Sequence, residues 1–147
     1  HLDKPIVFIY YKEETIDVLN KLEGLFTNLF HTKENRKILI LGRYQFDFQI
    51  FQTKQLKQLL DKKPRSIQID FLTIHQSKGL GYDEVVLLNL KEGKYGFPST
   101  SLKIDIEEER RLFYVALTRT KNHIYLLIPQ KNPSIFVEEL FSGIDLS

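Results

Sequence analysis

Two short polar segments carry the residues whose types and spacing could do chemistry. The first is Thr-Ile-His-Gln-Ser-Lys-Gly at residues 73–79, which directly follows an apolar run. It offers hydroxyl, imidazole, amide and ammonium groups, and its glycine would let the backbone approach a ligand closely. This chemistry suits contacts with phosphate and sugar groups. Judged by composition alone, a solvated loop explains the segment equally well.

The second segment, residues 108–121, predicts an apolar helix that ends in Thr118 and Arg119. An arginine near a helix C-terminus is favoured by the helix dipole, which is sufficient to explain Arg119. Its planar guanidinium could instead reach a γ-phosphate bound elsewhere, as an arginine finger does. The other charges have simpler explanations, since glutamates at a helix start complement the dipole and arginines pair with nearby carboxylates. These residues are Glu107, Glu108, Glu109, Arg110 and Arg111.

Other catalytic arrangements are absent from the sequence. A nucleotide hydrolase needs Gly-x-x-x-x-Gly-Lys-Ser/Thr and an α/β-hydrolase needs Gly-x-Ser-x-Gly, and neither pattern occurs. The lack of cysteine excludes disulfides, thiol nucleophiles and Cys-based metal sites. No metal site is predicted, because the histidines lack zinc-site spacing: His1, His31, His75 and His123. The chain by itself therefore lacks the residues of a complete enzyme.

Short apolar runs alternate with helical spacings in the order β-α-β-α-β-β-α-β-α. The predicted strands are residues 6–10, 37–41, 67–74, 85–88 and 123–128. The predicted helices are residues 13–30, 50–60, a helix capped by Asp105, and 134–141. Strands without polar alternation are typical of a mostly parallel sheet with both faces covered. We therefore expect an α/β layered domain with residues 73–79 beyond the carboxyl end of a strand, where ligands bind.

Charge and composition do not decide whether the chain binds nucleic acid. The chain has 147 residues of globular composition, with 21 Lys and Arg against 19 Asp and Glu. Residues 33–65 hold nine basic and three acidic residues, so this basic segment carries +6 and the remainder −4. It is either a footprint for a phosphate backbone or a solvated lysine-rich surface. The apolar runs are too short to span a bilayer, and no secretion signal opens the chain.

Both polar segments resemble motifs of one enzyme family. Thr-x-His-x-x-Lys-Gly-Leu at residues 73–80, followed by Asp-x-Val-Val at 83–86, resembles motif V of superfamily 1 helicases of the UvrD/Rep/PcrA type. Glu-Glu-Arg-Arg-Leu-x-Tyr-Val-Ala-Leu-Thr-Arg at 108–119 resembles their motif VI, and Gly42-Arg43 resembles the less specific motif IVa. Gly-Phe-Pro-Ser at 96–99 and Asn-Pro-Ser at 132–134 resemble the DNA helicase IV branch. The resemblance covers about residues 37–140.

The resemblance implies that residues 1–147 form one RecA-like domain, a three-layer α/β fold with a mostly parallel sheet flanked by helices. It would be the second motor domain of an ATP-dependent 3′–5′ DNA helicase. Arg119 would be the catalytic arginine finger, and Arg119, Gly79 and Gly81 would bind nucleotide. The implied DNA-binding residues are Thr73, His75, Lys78 and Arg43.

The resemblance also implies what lies outside this chain. ATP and Mg²⁺ would be held mainly by a first, N-terminal RecA-like domain of the same protein, which carries the phosphate-binding loop. The other partner would be single-stranded or duplex DNA, with no membrane, in the cytoplasm at the nucleoid. Since the chain begins at His1 and contains no Met, we expect a piece of a longer protein.

One residue departs from the family pattern. Members often carry Glu after Lys-Gly-Leu, where it contacts the nucleotide ribose, and Gly81 stands there in this chain. The upstream motif with the other γ-phosphate arginine is also absent. Two alternatives therefore stay open: a non-catalytic helicase-derived module that binds nucleic acid or RNA polymerase, and a complete small nucleic-acid-binding protein.

Overall fold

The computed structural model describes residues 5–12, 14–101 and 103–142. The strands are β1 (Ile6–Tyr11), β2 (Arg36–Gly42), β3 (Ile67–Thr73), β4 (Tyr82–Leu87) and β5 (Thr120–Pro129). The helices are α1 (Thr15–Leu29), a 3₁₀ helix (Gln45–Gln52), α2 (Lys54–Asp61), α3 (Ile106–Leu117) and α4 (Ile135–Phe141). The order of strands and α-helices is the predicted one, and the 3₁₀ helix is additional. The start predicted for the first helix, Glu13, lies outside the described residues.

The helix predicted over residues 50–60 is wrong as a single element. The chain instead forms the 3₁₀ helix and then α2, and the two are separated by Thr53. Thr53 has extended backbone angles, φ −66° and ψ 150°, and its hydroxyl oxygen accepts the Leu56 amide at 3.5 Å. A threonine in this conformation caps the following helix, so the break follows from local backbone hydrogen bonding.

All five strands are parallel and lie in the order β1-β5-β4-β2-β3. One core lies between the sheet and α1, the 3₁₀ helix and α2, and the other lies between the sheet and α3 and α4. The central residues of β2 and β4 are therefore fully buried from both sides. The expected α/β fold with a parallel sheet in three layers is confirmed.

The register fixes two opposite edges of the sheet. At the carboxyl edge the ends of β2 and β3 are neighbours, with Gly42 paired to Thr73. At the amino edge β4 and β5 begin together, with Tyr82 paired to Thr120. Strands of six or seven residues put these edges ~20 Å apart. A segment that links the two edges must therefore cross a face of the sheet.

Two further helices begin at side-chain caps. Asp105 accepts the amides of Glu107 and Glu108 at 3.0 and 3.4 Å, which confirms the predicted cap of α3. Ser134 caps α4 by accepting the Phe136 amide at 3.1 Å. Across the part of the chain that the structure describes, no helix is long and apolar enough to cross a membrane.

Candidate functional site

Residues 74–81, here the crossing turn, lead from the carboxyl end of β3 to the amino end of β4. The turn starts next to β2, because the Ile74 amide donates to the Gly42 carbonyl at 3.0 Å. Ile74 and Ser77 are fully buried and anchor it, and the Ser77 hydroxyl donates to the Ile74 carbonyl at 2.7 Å. The segment that resembles motif V is thus an ordered connection between the two edges of the sheet.

Apart from the buried Ser77, the polar side chains of the crossing turn are accessible to solvent. His75 and Lys78 are exposed, and Thr73 at the carboxyl edge is half-buried. Gln76 folds back, since its side-chain oxygen accepts the Thr73 amide at 2.8 Å and the Gln45 side-chain amide at 3.2 Å. The predicted DNA-binding residues Thr73, His75 and Lys78 therefore follow one another along a short segment in which the last two side chains are accessible to solvent, and their contact with DNA stays a prediction.

Arg119 lies at the other edge, between the end of α3 and the start of β5. One guanidinium nitrogen, Nη1, donates to the carbonyls of Ser77 and Leu80, both at 3.2 Å. Its Nε donates to the Val115 carbonyl at 3.2 Å, and its Nη2 to the Thr118 hydroxyl at 3.0 Å. Arg119 therefore bonds the C-terminal end of α3 to the crossing turn, which joins the segments that resemble motifs V and VI.

The two glycines predicted to bind nucleotide lie near Arg119. Gly79 has φ +80°, a conformation that favours glycine, although a Cβ there would meet nothing within 4 Å. Gly81 follows Leu80, and a Cβ there would lie 3.4 Å from the flexible end of Lys121. The backbone at position 81 therefore has room for a larger residue, so the departure from the family pattern is not forced by packing.

Arg43 extends from the carboxyl end of β2 to the first turn of α3. Its Nε and Nη2 donate to Glu109 Oε2 at 3.0 and 2.9 Å, and its guanidinium lies 4.8 Å from the centre of the Tyr44 ring. The Glu109 side chain is only 2% exposed and that of Arg43 is 18% exposed. Arg43, predicted to bind DNA, is thus mainly committed to a buried ion pair, and its DNA contact stays a prediction.

Helix α3 is consequently held at both ends. Its 12 residues span ~18 Å, close to the distance between the sheet edges. The Glu109–Arg43 pair ties its start to the carboxyl edge, and Arg119 ties its end to the crossing turn. One helix thus contacts residues of both groups of predicted site residues.

The remaining arginines of α3 pair as predicted. Arg110 donates to Glu107 and Glu139, the latter at 2.8 Å, and Arg111 donates to Glu108 at 3.2 Å. The expectation that all three glutamates complement the helix dipole is incomplete, because Glu109 is a buried ion-pair partner. Sequence spacing offered a signal, since residue 109 lies on the helix face of Leu112 and Ala116.

A second polar pair organises the carboxyl edge. Asp47 is 3% exposed and accepts the Tyr44 amide at 3.0 Å and the Asn89 side-chain amide at 2.8 Å. Burial raises the pKa of Asp47, an effect opposed by these hydrogen bonds. Asn89 has φ 57°, so Asp47 holds a residue in a rarely populated conformation. Both residues line a cavity of about 600 Å³ between α1 and the 3₁₀ helix.

The basic segment does not form one patch. Lys33, Arg36 and Lys37 lie at the amino edge, while Lys54 and Lys57 are exposed on α2. Arg36 pairs with Glu34 at 2.7 Å. Arg65 lines the same pocket as Arg36 and Lys37, whereas Arg43 lies at the opposite, carboxyl edge, so the segment as a whole is not a single phosphate footprint. Among the described residues, no group of three or more His, Asp and Glu is placed to hold a metal ion.

Known proteins of similar sequence identify the family of this chain. The sequence profile of the UvrD-like helicase C-terminal domain matches residues 11–131. The chain belongs to this family. This UvrD-like domain is 36% identical over 151 residues to DNA helicase IV of Escherichia coli K12, which covers 94% of the chain and 20% of that protein. The chain therefore spans about a fifth of that relative's length.

One further relative supports the family, and one solved structure supports the fold. The ATP-dependent DNA helicase PcrA of Bacillus subtilis is 30% identical over 120 residues, covering 78% of this UvrD-like domain and 16% of PcrA. The crystal structure of the C-terminal domain of a possible DNA helicase from Lactobacillus plantarum WCFS1 has a TM-score of 0.55 over 91% of this chain and 78% of that one. At 16% identity, this second likeness bears on the fold alone. The roles of individual residues stay predictions.

Proposed function

We propose that this UvrD-like domain is the second motor domain of an ATP-dependent 3′–5′ DNA helicase and forms a single RecA-like domain of a longer protein. The observation that carries the proposal is the pair of hydrogen bonds that the Arg119 guanidinium donates to the Ser77 and Leu80 carbonyls. A side chain that can reach a phosphate is thereby bonded to the turn that presents His75 and Lys78. The names of the relatives, DNA helicase IV and PcrA, support the same activity.

Arg119 would act as an arginine finger on ATP bound to a first motor domain. Guanidinium groups stabilise the charge of phosphoryl transfer through fixed, planar donors. To reach a γ-phosphate, Arg119 would exchange its carbonyl partners in the crossing turn for phosphate oxygens. Because those carbonyls belong to the segment that carries Lys78, nucleotide binding would alter the DNA-facing turn.

The other assignments belong to the same proposal. Thr73, His75 and Lys78 would contact single-stranded or duplex DNA, and Arg43 would support that edge. Gly79 and Gly81 would lie at the nucleotide. Mg²⁺ would be held by the first domain, since the described residues of this chain offer no cluster of acidic ligands for it. The longer protein would act on DNA in the cytoplasm at the nucleoid.

The test is Arg119→Ala in the full-length protein. We expect DNA-stimulated ATP hydrolysis to fall about 10³-fold or more, because this is the scale of an arginine finger. Single-strand binding without nucleotide should stay within about twofold. Arg111→Ala is the matched control, since Arg111 is 68% exposed on α3, the helix that precedes Arg119, and pairs only with Glu108 among its described contacts. Near-normal turnover of Arg119→Ala would refute the finger assignment.

A non-catalytic module is the second candidate, and Gly81 is the observation that favours it. Glutamate is common at this position in the family, and its absence removes a contact expected with the nucleotide ribose. In that case the full-length protein would bind nucleic acid or RNA polymerase but would not hydrolyse ATP when DNA is added. The wild-type ATPase measurement therefore separates the two candidates before any variant is made.

A further inference from the structure

Three aromatic rings form an exposed cluster at the carboxyl edge of the sheet. We call Tyr44, Phe46 and Tyr95 the aromatic cluster. Tyr44 is stacked on Phe46 with 4.9 Å between ring centres and an interplanar angle of 14°. The Phe46 ring meets Tyr95 edge-on at 5.7 Å and 86°. Phe46 is 41% exposed and Tyr95 is 58% exposed, so the cluster contributes little to either core.

The solvent-accessible charge beside these rings is positive. Lys94 is exposed, and its ammonium lies 5.4 Å from the centre of the Tyr95 ring. Arg43 lies over Tyr44, while its partner Glu109 is buried beneath it. An aromatic surface with adjacent cations is complementary to bases and phosphates of a single strand, whereas an uncharged apolar partner would gain nothing from Lys94.

The aromatic cluster is built on fixed backbone. Phe97, two residues after Tyr95, is 1% exposed and packs against Phe113 and Phe136 in the core. The Gly93 carbonyl accepts the amides of residues 96 and 100, both at 3.0 Å, which closes the loop that carries Tyr95. A ring held in this way loses little conformational freedom when a base stacks on it.

The aromatic cluster also adjoins the crossing turn. Gln45, which lies between Tyr44 and Phe46, donates its side-chain amide to Gln76 at 3.2 Å. Gln76 in turn accepts the Thr73 amide at 2.8 Å. A strand whose phosphates contacted Thr73, His75 and Lys78 would therefore have the aromatic cluster directly beside it.

We propose that the aromatic cluster is a stacking platform for the bases of single-stranded DNA, with Tyr95 and Phe46 as its accessible rings. The proposal rests on the proposed function, because it needs a strand at the carboxyl edge. It adds a base-contacting element to a site whose other predicted contacts suit phosphate. Stacking tolerates every base, so the platform would hold DNA without selecting a sequence.

The experiment uses the full-length protein and a short oligothymidylate that contains 2-aminopurine, whose fluorescence is quenched when it stacks. Tyr95→Leu keeps an apolar side chain but removes the ring, and Tyr95→Phe keeps the ring. We expect Tyr95→Leu to weaken binding about fivefold or more and to lose the quench, whereas Tyr95→Phe keeps both. Phe46→Leu should behave as Tyr95→Leu does.

Phe141→Leu is the matched control, because Phe141 is 60% exposed but lies outside the aromatic cluster against Phe8. Its affinity and quench should equal those of the wild type. The salt dependence gives a second readout: Tyr95→Leu should leave the slope of affinity against salt unchanged, while Lys78→Ala should reduce it by about one.

Several results would overturn the platform. Wild-type affinity and quench in both Tyr95→Leu and Phe46→Leu would exclude base stacking there. If Tyr95→Leu and Phe46→Leu keep DNA binding but lose ATP hydrolysis, the rings contact another protein domain instead. If the wild-type protein does not bind the oligonucleotide, the proposed function is refuted as well. If Lys78→Ala loses binding while the two ring variants keep it, only the platform is refuted.

Discussion

Removing one partner of the buried ion pair between Arg43 and Glu109 should be among the most destabilising polar substitutions in this fold. The pair joins the end of β2 to the start of α3, and its carboxylate is 2% exposed. Breaking a buried pair by removing one partner costs ~3–5 kcal/mol, since the other charge is left without compensation. Replacing both partners with apolar residues of similar volume costs much less.

The two single substitutions should differ. Arg43→Met leaves the buried Glu109 carboxylate without its partner, so we expect a loss of ~3–5 kcal/mol in the free energy of unfolding. Glu109→Leu leaves a guanidinium that is 18% exposed and lies 4.8 Å from the Tyr44 ring, so the loss should be nearer ~2 kcal/mol. The double variant should return to within ~1 kcal/mol of the wild type.

Urea unfolding of the 147-residue chain measures these differences. With a slope of ~2 kcal/mol per molar urea, a loss of ~3 kcal/mol moves the midpoint by ~1.5 M. The wild type, the two single variants and the double variant form a double-mutant cycle. The cycle measures the interaction between the two residues only if all four proteins unfold with the same dependence on urea concentration. The reasoning is refuted if Arg43→Met costs less than ~1 kcal/mol, or if the two single losses simply add in the double variant.

Two further predictions concern backbone packing and alkaline stability. Gly96→Ala should lower the free energy of unfolding by ~2 kcal/mol or more, because its Cβ would lie 2.1 Å from the Lys91 carbonyl oxygen. Gly24→Ala, with nothing within 4 Å, should stabilise the chain by ~0.5–1 kcal/mol, and equal urea midpoints for the two variants would contradict this. Burial raises the pKa of three tyrosines to about 12, namely Tyr11, Tyr82 and Tyr125. Their folded pKa lies above the unfolded value near 10, so stability should be constant below about pH 10 and fall from there to pH 12, by up to ~1.4 kcal/mol per pH unit for each tyrosine. Urea midpoints that stay constant from pH 9 to 12 would contradict the second prediction, and Tyr82→Phe should reduce the fall.

The sequence pattern predicted the elements because each rests on local signals. Strands such as β4 are short apolar runs, and α3 begins at an aspartate cap followed by acidic residues. The 3₁₀ helix was not predicted, since a short apolar stretch does not distinguish it from the start of α2. What separates them is one hydrogen bond of Thr53, which depends on the backbone angles that the chain adopts there.

Some features of the candidate site are also visible in the sequence, and others depend on folding. The polar segments at residues 73–79 and 108–119 and the resemblance of both to helicase motifs are properties of the sequence alone. The ion-pair partner of Arg43 cannot be identified from the sequence alone, because Glu109 lies 66 positions away and is brought close only when α3 packs across the sheet. The aromatic cluster also depends on folding, since it combines residues that follow β2 and β4.

The sequence by itself therefore determined the family, the order of strands and α-helices, and the polar residues of the two segments that resemble helicase motifs. The tertiary structure decided where those residues lie: the parallel register puts Thr73 and Arg119 at opposite edges, and the crossing turn connects them through Ser77 and Leu80. The physical reason is that side-chain chemistry and helix caps are encoded within a few neighbouring residues. The pairing of distant charges and rings depends instead on which elements pack together.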